Sequence, residues 1–273
     1  MRILAAAVGS ALVLAMLSAA CERHADSAPL TTPELGVPPA GGGLVADSAQ
    51  HPIVAGPVDP DPRVGAIFFG DGDLHGCTGS VVHSASGDLV LTAAHCLGPV
   101  ISAAFVPGFA DRAESADTWT VDEVYLDPRW VTAKDSRADY AIVRVSRADG
   151  GAIEAQVGSA LSLGAAPAPA SRVRVIAYLA GIGGRPIGCQ ASTGITDGGY
   201  PELPCAGLGD GTSGAPWISG STVVGVIGGL HGGGCAENLS YSAPFDEHIT
   251  ELLARAEAGG PGDAPPAALD DDC

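Results

Sequence analysis

Leu91-Thr92-Ala93-Ala94-His95-Cys96 closes a short apolar run, Asp88 to Thr92, with a histidine and a cysteine. The run follows the turn sequence Ser84-Ala85-Ser86-Gly87 and is too short for a buried helix, so it reads as a β-strand. Two similar runs precede it, Val64 to Phe69 and Gly79 to His83. Others follow at Trp119 to Tyr125, Tyr140 to Val145, Arg172 to Tyr178, Pro216 to Ser219 and Thr222 to Gly228. Regularly spaced short strands over so long a stretch argue an all-β barrel or sandwich. The composition agrees, with 39 Gly and 21 Pro to supply tight turns. Ile249, Leu252 and Leu253 fall at helical spacing within residues 243–258, which predicts a short C-terminal helix.

Two more segments carry chemistry: Ala138-Asp139-Tyr140-Ala141-Ile142-Val143 and Gly209-Asp210-Gly211-Thr212-Ser213-Gly214-Ala215-Pro216-Trp217. A serine hydroxyl attacks a carbonyl well only when an imidazole takes its proton. The imidazole needs a buried carboxylate to fix its tautomer and balance its positive form. The resulting oxyanion needs backbone N–H donors, most readily presented where glycine lets the chain bend. His95, Asp139 and Ser213, with Gly211 beside the serine, supply these parts once each.

The three segments resemble the Thr-Ala-Ala-His-Cys, Asp-Ile-Ala-Leu and Gly-Asp-Ser-Gly-Gly-Pro signatures of the chymotrypsin-like (trypsin-like) serine peptidases, nearest in character to the secreted bacterial branch. The resemblance implies two six-stranded antiparallel β-barrels and a peptidase domain over 61–258. It implies a catalytic triad of His95, Asp139 and Ser213, an oxyanion hole from the N–H groups of Gly211 and Ser213, and a disulfide between Cys77 and Cys96. Gly228, Gly229 and Leu230 match the strand that pairs with an extended substrate, Gly207 the base of the specificity pocket, and Cys235 one wall of it. Gly207 stands where the trypsin branch has an aspartate, so a small or apolar side chain is the expected preference. Thr212 stands where that branch has the aspartate that captures a newly cut N-terminus. Ile53-Val54-Ala55-Gly56 is therefore read as ordinary sequence rather than an activation site. His231, beside the pocket, is read as a solvated loop residue.

The remaining organisation follows from composition. Residues 1–20 read as an export signal, and Cys21 follows directly, as at a bacterial lipoprotein cleavage box. Residues 21–60, rich in Pro, Gly and Ala, read as a flexible linker or propeptide, and 259–273 as a disordered acidic tail. With Cys21 lipidated, six cysteines remain, and an even number in an exported chain favours disulfides. Beyond Cys77 and Cys96, four cysteines allow three pairings. Cys205–Cys235, bracing the pocket, is slightly favoured over Cys189–Cys205. Acids outnumber bases 31 to 13, for a net charge of −18, a surface that repels phosphate backbones and argues against nucleic acid as a partner. No cofactor or metal is expected, and the partner is a polypeptide substrate met by a monomer. A silent peptide-binding module on the same fold is the alternative. A non-peptidase acyl hydrolase is less well matched, because its serine sits in a strand-to-helix elbow.

Overall fold

The computed structural model describes residues 52–99, 102–234 and 238–267, all within one unit spanning 49–273. The expected signal segment, Cys21, Cys235 and Cys273 lie outside the described residues. After β1 (Gly56–Pro57) come β2 (Val64–Phe69), β3 (Leu74–Val82), β4 (Leu89–Thr92), β5 (Ala103–Pro107), β6 (Trp119–Leu126) and β7 (Ala141–Ser146). Pairing runs β3-β2-β5-β6-β7-β4, and β4 returns to β3 through Ser80–Leu91, Val81–Val90 and Val82–Leu89. Every one of these pairings is antiparallel, so the six strands close into a barrel.

Strands β2 and β4 read as nearly continuous apolar runs because both of their faces are buried. In β4, Val90 points into the barrel beside Ile67, Phe105 and Trp119. Leu89 and Leu91 point the other way, into a cluster shared with Ile176, Ile218 and Val226 from the second half of the chain. Burying each of these side chains contributes roughly 1.5–3 kcal/mol relative to exposure.

The second half contains β8 (Ser162–Leu163), β9 (Arg172–Ala177), β10 (Gly181–Ile182), β11 (Ile187–Ser192), β12 (Gly194–Ile195), β13 (Pro201–Leu203), β14 (Pro216–Ser219), β15 (Thr222–Val226) and β16 (Ser240–Tyr241). Most of its strands pair in two sheets. Strands β1-β11-β9-β14-β15-β8 form one six-stranded sheet, antiparallel except for β15 against β8. Strands β12-β13-β16 form a separate three-stranded sheet. The break falls at Thr193, between β11 and β12, whose hydroxyl donates to the Ala168 carbonyl at 2.9 Å and turns the chain. Both sheets still share one core, in which Leu203 meets Val173, Val175, Ala215 and Trp217.

The ordered fold extends past both expected domain limits. Gly56 and Pro57 pair with Gly188 and Ile187, so the chain is part of a sheet before residue 61. The helix spans Glu247–Ala258, capped by the Asp246 side chain, with Ile249, Leu252 and Ala256 buried. Residues beyond it lie along β6 rather than trailing off. Asp263 accepts from Leu126 N–H at 2.7 Å, its own N–H donates to the Val124 carbonyl at 2.7 Å, and Tyr125 Oη donates to the Gly260 carbonyl at 3.0 Å. Asp263 thus satisfies backbone groups of β6 on the side away from β7.

One buried polar cluster sets the approach to Asp139. Asp127 begins α1 (Pro128–Ala133), accepting from Arg129 N–H at 2.8 Å. It also accepts from the Arg129 guanidinium at 2.7 Å and from Tyr140 Oη at 2.9 Å. Burial works to raise the Asp127 pKa, but these hydrogen bonds outweigh it and hold the carboxylate below its ordinary value. Tyr140 directly follows Asp139, so this cluster anchors the segment between β6 and β7.

Candidate active site

His95 sits in a tight 3-10 turn, Ala94–Cys96, at the end of β4. The Cys77–Cys96 disulfide ties that turn to β3, with Cα atoms 6.2 Å apart and a sequence separation of 19. A cross-link of that span contributes about 3 kcal/mol in the chain-entropy description.

Asp139 is fully buried. One of its oxygens accepts from the His95 backbone N–H at 2.9 Å. The other lies 2.7 Å from His95 Nδ1 and accepts from Gly229 N–H at 2.7 Å. Burial pushes the carboxyl pKa up, yet the adjacent imidazole and the N–H donors outweigh it and leave Asp139 below the usual carboxylate value. An ionised carboxylate only accepts hydrogen bonds, so Nδ1 carries the proton and Nε2 the lone pair. That is the tautomer a general base needs.

Ser213 lies in the Gly-rich loop before β14. It lines one cleft of about 350 Å³ together with His95, Gly211, Asp210 and the Cys77–Cys96 disulfide. Gly211 has φ +89°, and a Cβ there would lie 2.1 Å from Ala180 N, so no other residue fits. Gly214, at φ +80°, is equally constrained, since a Cβ would stand 2.2 Å from Thr92 Oγ1. Among the described residues, the N–H groups of Gly211 and Ser213 donate to no backbone carbonyl. A carbonyl oxygen gaining negative charge beside Ser213 is the kind of acceptor such donors suit.

Several sequence expectations need correction. Cys205 pairs with Cys189, not Cys235, with Cα atoms 6.7 Å apart. The pairing follows from β11 carrying Cys189 past the segment after β13, a register that spacing along the chain does not reveal. Gly207 is not among the residues lining the cleft. It faces Ala55 and Val54, because residues 53–55 run parallel to Ala206, with Ala55 N–H donating to the Ala206 carbonyl at 2.8 Å. Leu208 and Gly209 take the lining position instead. Gly228, Gly229 and Leu230 do not form a strand edge, since β15 ends at Val226 and Leu230–Gly233 is a 3-10 turn. Gly229 N–H is committed to Asp139, and His231 follows at φ +51°. His231 is exposed, as expected of a loop residue beside the pocket, and it lines the rim of the cleft.

Two features escaped sequence reasoning. One is Gly229 as a partner of Asp139. The other is Thr78, directly after Cys77, whose N–H donates to the Ser213 carbonyl at 2.8 Å.

Residues 77–226 match the family of trypsin-like peptidase domains. No curated protein sequence matches. Solved structures of the same fold include the protease Anisep from Arthrobacter nicotinovorans, at 23% identity and TM-score 0.65, covering 76% of this chain and all of that one. A thermostable serine protease, AL20, from an extremophilic microorganism matches at 21% identity and TM-score 0.63, covering 73% of this chain and 99% of its own. Human heparin binding protein matches at 17% identity and TM-score 0.60, covering 78% of this chain and 100% of its own.

Proposed function

The chain belongs to the family of trypsin-like peptidase domains, and from that premise we propose that it is a serine endopeptidase working through an acyl-enzyme. The observation that carries the reading is the buried, ionised Asp139 gripping His95 Nδ1 in the cleft that also holds Ser213. His95 Nε2 takes the Ser213 hydroxyl proton as Oγ bonds to the scissile carbonyl carbon. The carbonyl electrons move to oxygen, where the N–H groups of Gly211 and Ser213 receive the charge. Collapse breaks the C–N bond, and the amine leaves with the proton from His95. Water then repeats the sequence on the ester and frees Ser213. Leu208, Ile227 and the glycines 232–234 form an uncharged part of the cleft's lining, which suits a small or apolar substrate side chain.

The two disulfides suit an oxidising compartment outside the cytoplasm. Cys21, placed behind an apolar leader, is the attachment point for a lipid anchor in this reading. The competing role, a silent binding module, draws on the neighbour named for heparin binding. A net charge of −18 opposes any polyanion, so a polypeptide remains the better partner. A fluorophosphonate probe is expected to label Ser213 in the purified protein, and peptide amides to be cleaved with detectable acyl-enzyme. Labelling without amide cleavage would leave an esterase. The absence of both would leave the binding module.

No free amine at Ile53 is expected to be needed. Thr212 is buried, and its hydroxyl donates to the Gly209 carbonyl at 2.7 Å, so that position offers no carboxylate to an ammonium. The Ile53 carbonyl instead accepts from Ala206 N–H at 2.8 Å, as an internal strand residue does. Protein starting a few residues before Ile53, verified uncut by mass spectrometry, should match the rate of protein starting at Ile53. Activity that arises only on cleavage there, and vanishes when the new amine is acetylated, would make Asp210 its partner and refute this expectation.

A further inference from the structure

Thr78 is completely buried in β3 and makes four hydrogen bonds at the base of the Ser213 loop. Its hydroxyl donates to the Gly211 carbonyl at 3.0 Å and accepts from Tyr178 N–H at 3.0 Å. Its N–H donates to the Ser213 carbonyl at 2.8 Å, and its carbonyl accepts from the Thr92 hydroxyl at 2.8 Å. A hydroxyl has one proton to give. With Tyr178 N–H supplying a bond to the oxygen, that proton is directed at Gly211.

A trans peptide is a rigid plane in which the carbonyl and the next N–H point in opposite directions, so holding one aims the other. Consecutive planes between Asp210 and Gly214 are each held this way. The Asp210 carbonyl accepts from Ala180 N–H at 2.8 Å, which aims Gly211 N–H. The Thr212 carbonyl accepts from Ala215 N–H at 2.9 Å, which aims Ser213 N–H. Between these two donor planes lies the Gly211–Thr212 peptide. Its N–H reaches the Gly209 carbonyl at 3.1 Å, and its carbonyl is held by Thr78 Oγ1. In this run of carbonyls, Gly211 is the one gripped by a side chain, at a glycine whose backbone has the freedom to rotate.

We propose that Thr78 is the positioning residue of the oxyanion pocket: its hydroxyl holds the Gly211–Thr212 peptide so that the N–H groups on either side converge beside Ser213. This deepens the peptidase reading and rests on it. Without the hydroxyl, the Gly211–Thr212 plane keeps only the bond from Thr212 N–H to the Gly209 carbonyl, so it tilts at Gly211 and disturbs the alignment of the N–H groups on either side. A pocket that loses one aligned donor costs about 10²- to 10³-fold in kcat.

Thr78→Val removes the hydroxyl at nearly constant shape, and Thr78→Ser keeps it. The valine variant should lose about 10²-fold in kcat with KM within about threefold of wild type, and serine should restore most of the rate. Affinity for a peptide aldehyde, whose adduct with Ser213 places an oxyanion in the pocket, should fall in parallel with kcat. Affinity for the corresponding peptide acid should not. Should the valine variant fail to fold, Thr78→Ala offers the same comparison. Amide hydrogen exchange gives a readout independent of turnover: Thr212 N–H should exchange at least about tenfold faster in the valine variant. A folded valine variant with wild-type kcat and aldehyde affinity overturns the proposal. Unchanged exchange at Thr212 overturns it as well, even if the wild-type protein cleaves no peptide, which is how failure of the latch is told from failure of the peptidase reading.

Discussion

Replacing Ser213 with Ala, or His95 with Ala, is expected to lower kcat for a peptide substrate by roughly six orders of magnitude, with the double replacement scarcely worse than either. The non-additivity is the informative part. Proton removal by His95 has value only if Ser213 is there to lose the proton, and the serine is a poor nucleophile without the base. Once one member is gone, the other has nothing left to contribute. The residual rate belongs to the Gly211 and Ser213 N–H groups, which still meet the carbonyl oxygen of a bound peptide attacked by water. Neither change should unfold the protein, since Ser213 and His95 line an open cleft rather than a core cluster. The measurement is a set of single and double variants assayed on one peptide amide, each checked by thermal melting. Substantial turnover by a verified Ser213→Ala protein would remove the triad assignment. Additive losses would mean that the two residues act in separate steps.

What could be read in the sequence, and what could not, divides along the range of the interactions involved. His95, Asp139 and Ser213 stand in local sequences that chemistry constrains tightly: a residue type, its small neighbours and a strand beside it. His95 and Ser213, expected from those segments, both line the cleft, and Asp139 is bonded to His95 from behind. Five of the first barrel's six strands were legible too, as short runs broken by turn residues, whereas β5 (Ala103–Pro107) was not. In the second half the strands divide into two sheets at Thr193, whose hydroxyl bonds the Ala168 carbonyl 25 residues earlier, a contact that strand patterning does not encode. The partner of Cys205 depends on where β11 lies against the segment after β13, which no spacing encodes. Gly228 to Gly234 defeated pattern reading for a different reason. Glycine carries no side chain to signal a face, so a turn and an extended edge look alike. Buried polar residues were the least visible of all. Thr78 reads as an ordinary strand threonine until Gly211, Tyr178 and Ser213 are brought against it. Asp127 reads as a helix cap until Tyr140 and Arg129 close over it.

Asp139→Asn is expected to cost about four orders of magnitude in kcat while leaving the backbone of the site in place. The two side chains have the same shape, so the difference lies in protons. The carboxylate accepts three hydrogen bonds, from His95 N–H, His95 Nδ1 and Gly229 N–H, and donates none. An asparagine meets those groups with one oxygen and one NH2. Turning its oxygen toward the His95 backbone N–H leaves the NH2 at the position that faces both His95 Nδ1 and Gly229 N–H. The ring must then present a lone pair at Nδ1 and carry its proton on Nε2, where it has no capacity to take one from Ser213. The variant also loses the negative charge that balances the imidazolium in the transition state. KM should change little, because Asp139 is buried behind His95 and touches no substrate. In the wild type, the depressed pKa keeps the carboxylate ionised from neutral pH down past its ordinary value of about 3.9. The sign of the linkage follows. Asp139 contributes its stability in full above that ordinary value, and the contribution fades only as acid drives the folded-state carboxylate to protonate. Melting curves of the wild type should therefore shift downward below about pH 4, with a weaker acid dependence in Asp139→Asn. A rate for Asp139→Asn within tenfold of wild type at neutral pH would show that His95 keeps its working tautomer without the carboxylate, and Asp139 would then be only a structural acceptor for Gly229.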